Sequence, residues 1–405
     1  MLETARLELY KTIQFFITKC NVKLITKNFQ VKGFLSLYEC VDVCIKSIIQ
    51  PCSHAIMQDA FGNLPRCRLI IAFFIFYIIC PSTSAQDYPD NKVDSLLKHG
   101  IINIVNQDYK SAGIIFEKLN SGYPEIPLGK IYLAANKIAE AFDYSEQFDE
   151  EFISNNLESA REQALILLDK DDKNIWYNYF IALVEGYTAY FEALKRNWLS
   201  AFSTGFNSVS SFENCLELDE HFYESKIAIG TFAYWKSRET EFLSWMPFVS
   251  DDREFAIRQL VIAIDSASYN RYLAMNSLIW IYIDQQDYQS AITLAKKALT
   301  EFPGTRLFKR GLARAYEQVD RNEAIKIYSD ILESYPPGEN NTRVNEIVLK
   351  HKIAQQYAKT GRNEEALELC DQILSINNLS EFAQDKLESR LKRIRELRSE
   401  LMKQN

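Results

Sequence analysis

One side-chain pattern recurs three times between residues 272 and 378, and it constrains the fold more than any other feature of the sequence. In its clearest copy, Leu278 and Ile279 precede Tyr282 by about one helical turn, which places large side chains on one helical face. Small residues then follow at helical spacing before a closing proline: Ala291, Ala295, Ala298 and Pro303. A helix rich in small residues packs closely against its neighbour, and the next copy of the pair buries the remaining apolar face.

The pattern returns twice more along the chain. The second copy consists of Leu312, Ala313, Tyr316, Ala324, Tyr328, Ile331 and Pro336. The third consists of Ile353, Ala354, Tyr357, Gly361, Ala366, Cys370 and Ile373. Three tandem copies of this spacing resemble the tetratricopeptide repeat (TPR) family. The resemblance implies an all-α fold, an α-solenoid of antiparallel helix pairs, and a function in binding other proteins.

The same spacing of small residues extends through most of the chain. The first small residue of each second helix falls at Ala112, Ala160, Ser208, Ala256, Ala291, Ala324 and Ala366. The spacings between them are 48, 48, 48, 35, 33 and 42 residues, so the early units are enlarged. We therefore expect about seven helix pairs and a last helix. The predicted ranges are 91–106, 108–121, 127–147, 149–169, 173–195, 197–218, 220–243, 251–267, 269–285, 287–301, 303–318, 320–334, 343–360, 362–376 and 380–403.

These units divide the body of the chain into three parts. Residues 86–268 are expected to form enlarged, divergent helix pairs, and residues 269–378 are expected to form regular repeats. Residues 379–405 place Leu387, Ile394 and Leu401 on one helical face and charged residues on the other. A stacked array needs a polar-backed helix over its exposed apolar end, so this segment is predicted to be a cap. The alternative is a coiled coil that binds a partner, although it would hold little more than three heptads.

The segment before residue 86 has a different character. Residues 69–79 form an almost purely apolar run after Arg66 and Arg68, and small residues lead from it to Ala85. The run is too short for a helix that crosses a bilayer, and residues 57–85 are predicted to be a signal peptide cleaved after Ala85. The alternative is an uncleaved anchor formed by residues 69–79. Residues 1–56 show no sustained periodicity and are predicted to be an upstream or disordered extension.

Charge and cysteine usage follow the same division. The whole chain has a formal charge of −8, which leaves −12 for residues 86–405. An acidic body argues against nucleic acid as a partner, because counterion release requires a basic face. Six of the eight cysteines precede residue 81, and the other two, Cys215 and Cys370, occupy small-residue positions of second helices. Both are predicted to be buried free thiols.

The sequence offers little that could support catalysis. The four histidines, His54, His99, His221 and His351, are scattered and have no second ligand at metal-binding spacing. Phosphate-binding glycine loops, dinucleotide fingerprints and nucleophile elbows do not occur. We therefore expect no enzyme activity, no cofactor and no metal.

The family resemblance also suggests where a partner would bind, because TPR proteins line their concave groove with residues of the first helices. Carried over by position, the candidates are Asn276, Ile279, Gln285, Lys309, Arg314, Lys350 and Gln355. Lys309, Arg314 and Lys350 form a basic series on an acidic chain, which predicts a protein or peptide partner with a carboxylate. The alternative is that this series is an ordinary solvated face.

A second binding hypothesis rests on aromatic density. Residues 176–248 are rich in aromatic side chains, and the helices of the fourth pair are joined by an apolar loop that contains Trp245, Met246, Pro247 and Phe248. A cleft lined by such residues could hold an acyl chain or an apolar helix, as in an envelope assembly or lipid-handling factor. The alternative for the loop is that it folds back over its own helix pair.

The loop and its enlarged neighbours resemble exported bacterial TPR proteins of unsettled function. Together with the predicted signal peptide, this resemblance predicts an exported protein of the periplasm or cell envelope. Contact with a membrane is expected only through an uncleaved N-terminal segment. The leading expectation is therefore an exported, non-catalytic TPR scaffold that captures a protein or peptide segment.

Overall fold

The computed structural model describes residues 86–241, 250–335 and 343–404. In these ranges the chain forms fifteen α-helices and no strand. The helices are α1 (Asn91–Val105), α2 (Tyr109–Gly122), α3 (Leu128–Tyr144), α4 (Glu150–Lys170), α5 (Ile175–Leu194), α6 (Trp198–Leu218), α7 (Glu224–Glu239), α8 (Arg253–Ser266), α9 (Arg271–Asp284), α10 (Tyr288–Glu301), α11 (Arg306–Val319), α12 (Arg321–Glu333), α13 (Val344–Lys359), α14 (Asn363–Leu374) and α15 (Glu381–Gln404). The predicted all-α solenoid of about seven helix pairs with a last helix is confirmed.

The helices pack in sequence order, each against the next. Four odd-numbered helices also contact the next odd-numbered helix: α3 contacts α5, α7 contacts α9, α9 contacts α11, and α13 contacts α15. The odd-numbered helices therefore form one continuous layer, and the even-numbered helices form a second layer against it. We call the face of the odd-numbered layer that is turned away from the even-numbered helices the concave face.

Small residues at the predicted phase positions explain the close packing within each pair. All seven of them are buried: Ala112, Ala160, Ser208, Ala256, Ala291, Ala324 and Ala366. Ser208 is the one polar member, and its hydroxyl donates to the carbonyl oxygen of Ala182 at 2.9 Å. Cys215 and Cys370 are buried free thiols, as predicted, and burial raises their pKa to about 12 and about 11.

The turns within four of the pairs share one backbone conformation. Gln107, Arg196, Gln286 and Gly361 each adopt a positive φ between the two helices. An aspartate then caps the second helix in two of these pairs. Asp108 accepts from the backbone N–H of Ser111, and Asp287 does the same for Ser290. Such caps satisfy a donor that the first helical turn leaves unpaired.

Contacts between residues far apart in sequence join the first repeats to the later ones. The hydroxyl of Tyr269, before α9, donates to Asp94 of α1 at 2.6 Å, and Gln107 donates to Thr305, before α11, at 2.9 Å. The carboxylate of Asp143, at the end of α3, accepts from the guanidinium Nε of Arg306 at 3.1 Å. We call these contacts the closure. They bring α1 and α3 against the N-terminal ends of α9 and α11.

The last helix covers the end of the array. Leu387, Ile394 and Leu401 of α15 are buried, and Leu387 and Ile394 share one core with Ile347 of α13 and Ile373 of α14. Arg398 of α15 also pairs with Asp371 of α14. The last helix therefore packs on both helices of the seventh pair. None of the helices described in 86–404 is both long enough and apolar enough to cross a membrane.

His351 is buried beneath the cap, and its ionisation should make the protein less stable in acid. Burial and the charges of Arg390 and Arg393 lower its pKa from 6.5 to about 4. The unfolded chain therefore binds a proton first as pH falls, and stability is lost between pH 6.5 and 4. We expect His351 to account for about 2 kcal/mol of lost stability between about pH 7 and about pH 5.

Urea unfolding at the two pH values, compared with a His351→Gln variant, measures this contribution because other titrating groups are common to both proteins. The variant should lose less stability than the parent on acidification. Equal losses would show that His351 is protonated as readily in the folded chain as in the unfolded one.

Candidate functional site

The concave face encloses a cavity of about 540 Å³. Most of its wall comes from α1, α3, α5, α7, α9 and α11, so every odd-numbered helix from the first to the sixth pair contributes, and Tyr109 of α2 and Phe212 of α6 complete it. A volume of this size is typical of pockets that bind small molecules or a few side chains. The closure lies beside the cavity, since Gln107, Asp143 and Thr305 are among its lining residues.

Aromatic rings form much of the cavity wall. They are Tyr179, Tyr187, Tyr190, Phe212, Tyr272 and Trp280. Tyr179 packs edge-to-face against Phe212, with 6.0 Å between ring centroids, so this part of the wall is held in place by ring packing. Burial raises the pKa of Tyr187 and of Tyr272. Both hydroxyls are therefore neutral near physiological pH.

A buried carboxyl group lies in this aromatic surround. Glu224, in the first turn of α7, is 5% exposed and lines the cavity. Its Oε1 accepts from the backbone N–H groups of Tyr269 and Asn270 at 2.7 and 3.3 Å. Its Oε2 accepts from the side-chain amide of Asn270 at 2.9 Å and from the Tyr179 hydroxyl at 3.3 Å. Burial raises the pKa of Glu224, although these hydrogen bonds to the carboxylate oppose the rise.

Two amide oxygens beside the cavity accept no hydrogen bond from the part of the chain that is described. They are Oδ1 of Asn270, a residue that is 4% exposed, and Oδ1 of Asn276 on α9. The orientation of the Asn270 amide is fixed by its neighbour, because only its nitrogen can donate to the Glu224 carboxylate. A buried acceptor without a donor costs free energy, so each oxygen favours a ligand that donates to it.

An ion pair borders the cavity at the end of α3. Asp143 and Arg306 are both buried, and the Asp143 carboxylate also accepts from the Tyr109 hydroxyl at 3.1 Å. Arg310 lies 3.8 Å from the same carboxylate, and its guanidinium donates to the Tyr335 hydroxyl. Burial opposes the charged form of Arg306, but the adjacent carboxylate outweighs it and keeps the pKa of the guanidinium above its usual value. The cluster holds α3, α11 and the end of α12 together.

The residues predicted to line a groove do not form one site. Asn276 lines the cavity, whereas Ile279 is fully buried and offers no surface to a partner. A Cβ at Gly311 would lie 2.7 Å from the Ile279 side chain, which shows how tightly α9 and α11 pack there. Gln285 is exposed at the end of α9, and Gln355 is half-buried on α13. Neither lines the cavity.

The basic series is largely neutralised within its own helices. Arg314 pairs with the buried carboxylate of Glu317, and Lys350 pairs with Glu346 at 2.9 Å. Lys309 is half-buried and forms no ion pair with the residues described. Two of the three basic side chains are therefore paired with carboxylates of the chain itself. This weakens the expectation that the basic series binds a carboxylate of a partner.

The aromatic-rich segment divides into three structural roles. Trp176 packs against Phe222 in the core, Tyr187 and Tyr190 face the cavity, and Phe202 and Phe206 of α6 are more than half exposed. The predicted apolar loop, with Trp245, Met246, Pro247 and Phe248, lies outside the described residues. So does the whole N-terminal segment before residue 86.

The sequence did not point to Glu224, Asn270 or Tyr187 as site residues. Glu224 occupies the first turn of a helix, where an acidic side chain ordinarily faces solvent and favours the helix dipole. Asn270 immediately precedes α9, as Thr305 precedes α11, and both line the cavity. That shared position at the start of a first helix is the one sequence signal that could have drawn attention to Asn270.

A search for groups of metal-ligating side chains within 86–241, 250–335 and 343–404 finds none. His99 and His221 are exposed there, and His351 is enclosed by the cap. The polar groups at the cavity are two carboxyls, a guanidinium, side-chain amides and the hydroxyls of serine, threonine and tyrosine. Their arrangement is suited to binding through hydrogen bonds and ring faces.

A profile of the tetratricopeptide repeat family matches residues 307–337, a segment that includes most of α11 and α12. A comparison with curated proteins gives no match. Among solved structures, the chain is similar to the APC/C hetero-tetramer Cut9–Hcn1 at 15% identity and a TM-score of 0.39, covering 75% of this chain and 48% of that one. It thus spans about half the length of that chain.

Yeast Tom70 is 16% identical, with a TM-score of 0.36 and coverage of 92% of this chain and 77% of that one. The TPR domain of P58(IPK) is 13% identical, with a TM-score of 0.21 and coverage of 76% and 98%. At identities and scores this low, these structures say nothing about what this chain binds. The profile match shows a tetratricopeptide repeat at residues 307–337, and the same layout of antiparallel helix pairs continues on both sides of it.

Proposed function

We propose that the chain is a non-catalytic scaffold that binds a protein or peptide segment on its concave face, with apolar side chains of the partner entering the cavity. The observation that carries this proposal is the aromatic wall contributed by α5, α6 and α9. Rings fixed by packing give large contact areas at low entropic cost, which is why aromatic residues dominate the energetics of many interfaces.

The geometry of the repeats supports a segment as the ligand. The cavity is bounded by the first helices of six successive pairs, so it follows the face along which the array extends. An apolar side chain that leaves water for such a pocket gains about 1.5–3 kcal/mol. Two or three such side chains would contribute about 3–9 kcal/mol before the cost of association is subtracted.

The proposal extends to the compartment. Export and cleavage are supported by the segment before Gln86, in which basic residues are followed by a short apolar run and then by small residues. An exported scaffold of this type would act in the periplasm or cell envelope. Sequencing the N-terminus of the mature protein tests this step. A terminus near Gln86 supports export with cleavage, a terminus near Met57 supports a retained anchor, and recovery of residues 1–56 contradicts both.

Filling the cavity should abolish partner binding without unfolding the chain. Ala228 of α7 is half-buried and lines the cavity, so Ala228→Trp would occupy much of the space. Thr293→Trp introduces the same side chain at an exposed position of α10, outside the cavity, and serves as the matched control. We expect partners captured from envelope extract by the parent and by Thr293→Trp to be lost with Ala228→Trp.

Circular dichroism and thermal unfolding should confirm that both tryptophan variants fold. Retention of the same partners by folded Ala228→Trp would show that binding uses another surface. It would also remove the aromatic wall as the basis of the proposal.

An apolar small molecule is the second candidate ligand, and the volume of the cavity favours it. About 540 Å³ is enough for a ligand with a medium-length acyl chain. Native mass spectrometry of the exported protein distinguishes the two candidates. A copurifying lipid that is lost in Ala228→Trp supports the lipid-handling function, whereas a bound protein partner or an empty chain argues against it.

A further inference from the structure

We infer that the cavity recognises a basic side chain, a lysine or arginine set among apolar residues of the partner segment. This inference rests on the proposed function and names the chemistry of the ligand. It is carried by three groups at one place: the buried Glu224 carboxyl and the unpartnered amide oxygens of Asn270 and Asn276.

The first step concerns charge. The charged side chains that line the cavity are Asp143, Glu224 and Arg310, and Asp143 is already paired with Arg306 and Arg310. No lysine, arginine or histidine nitrogen of the described residues lies within 4.0 Å of the Glu224 carboxyl. A buried carboxylate that lacks a counter-ion is costly, so a bound cation would stabilise it.

The second step concerns hydrogen-bond polarity. The two unsatisfied amide oxygens are acceptors, and the ligand groups that complement them must donate. A lysine ammonium has three donors and a guanidinium has five, whereas a carboxylate has none. A carboxylate ligand would also be repelled by Glu224. The pattern of acceptors therefore selects a basic group over an acidic one.

The third step concerns the walls. The rings of Tyr187, Tyr272 and Trp280 line the same cavity, and aromatic faces attract cations as well as apolar groups. The aliphatic stem of lysine or arginine is itself apolar and packs well on such surfaces. A basic side chain flanked by apolar residues therefore complements both the aromatic walls and the oxygen acceptors of Glu224, Asn270 and Asn276.

Isothermal titration with three matched peptides tests this inference. The peptides are capped octapeptides of leucine and valine that carry lysine, norleucine or glutamate at one central position. Norleucine keeps most of the stem and removes the ammonium. We expect the lysine peptide to bind about tenfold tighter than the norleucine peptide, and the glutamate peptide to bind most weakly.

Variants of the protein then show which residues cause the preference for lysine. Asn276→Leu removes one free acceptor at a half-buried position, and Glu224→Gln removes the charge, with thermal unfolding used to check that it folds. Both should reduce the lysine-to-norleucine affinity ratio towards one. Glu254→Gln, on the exposed start of α8, removes a charge away from the cavity and should leave the ratio unchanged.

The outcomes separate this inference from the proposed function. Equal affinity for the lysine and norleucine peptides in the parent protein overturns the inference and leaves the scaffold function in place. A lysine preference that survives in both Asn276→Leu and Glu224→Gln places recognition elsewhere and also overturns it. If none of the three peptides binds, the proposed function fails together with the inference.

Discussion

Replacing Asp143 with alanine should reduce the free energy of unfolding by about 3–5 kcal/mol, because it leaves the Arg306 guanidinium buried without its counter-ion. Arg306 is 5% exposed, and its remaining hydrogen-bond acceptors in the described chain are the Ser334 carbonyl and hydroxyl, with the ring centroid of Tyr335 4.4 Å from its guanidinium carbon. The variant also leaves the Tyr109 hydroxyl without its acceptor. Urea unfolding of the Asp143→Ala variant measures the loss.

A second substitution separates loss of the charge from loss of the contact. In the Asp143→Ala, Arg306→Met double variant no buried charge is left without a counter-ion. We therefore expect about half of the unfolding free energy lost in Asp143→Ala to be recovered. Glu301→Ala, which breaks the partly exposed pair with Arg271, should cost less than about 1 kcal/mol. If Asp143→Ala costs no more than Glu301→Ala, the closure contributes little to stability.

Replacing Phe222 with alanine should cost about 3–5 kcal/mol as well, for a different reason. The ring is fully buried, and it packs against Trp176 and Tyr179 with centroid distances of 5.5 and 5.0 Å. Its removal would leave a cavity beside the wall formed by Tyr179. Because that wall binds the partner in our proposal, peptide affinity should fall together with stability.

Two controls calibrate this prediction. Phe222→Leu keeps most of the volume and should cost about 1–2 kcal/mol. Phe206→Ala removes the same side chain from an exposed position on α6 and should change stability by less than about 0.5 kcal/mol. A Phe222→Ala variant as stable as Phe206→Ala would contradict the packing described for this part of the core.

The helices could be predicted closely because their signals are local. Small residues mark each second helix, and every one of the fifteen predicted ranges corresponds to an observed helix. The largest difference at a start is in α7, predicted from residue 220 and observed from Glu224. There Asp219 accepts from the backbone N–H of His221, and its carbonyl oxygen accepts from the N–H of Phe222, so a turn replaces the first expected helical residues.

The neutralised basic series could also have been recognised in the sequence. Glu317 follows Arg314 by three residues, and Glu346 precedes Lys350 by four, which are the spacings at which helical side chains meet. Charges with a partner at these spacings offer less to a ligand than isolated ones.

An apolar cleft was suggested by the aromatic density, but the residues that line the cavity could not be predicted, because they come from eight helices that no local pattern relates. Asp143 and Arg306 are 163 positions apart, and neither lies in an unusual sequence context. Repeat spacing gives the order of the helix pairs but not the curvature of the array. Whether α3 reaches α11 depends on small rotations accumulated over the intervening pairs.

The closure changes how the array should respond to force and to heat. An open solenoid can lose its terminal pairs one after another, since each pair contacts only its neighbours. In this chain, separating α1 from the start of α11 breaks the Gln107–Thr305 hydrogen bond, and separating α3 from it breaks a buried ion pair. Unravelling of the first pairs should therefore require these contacts to break, and we expect the first six pairs to melt as a single cooperative unit, whereas pairs in an open array fray independently.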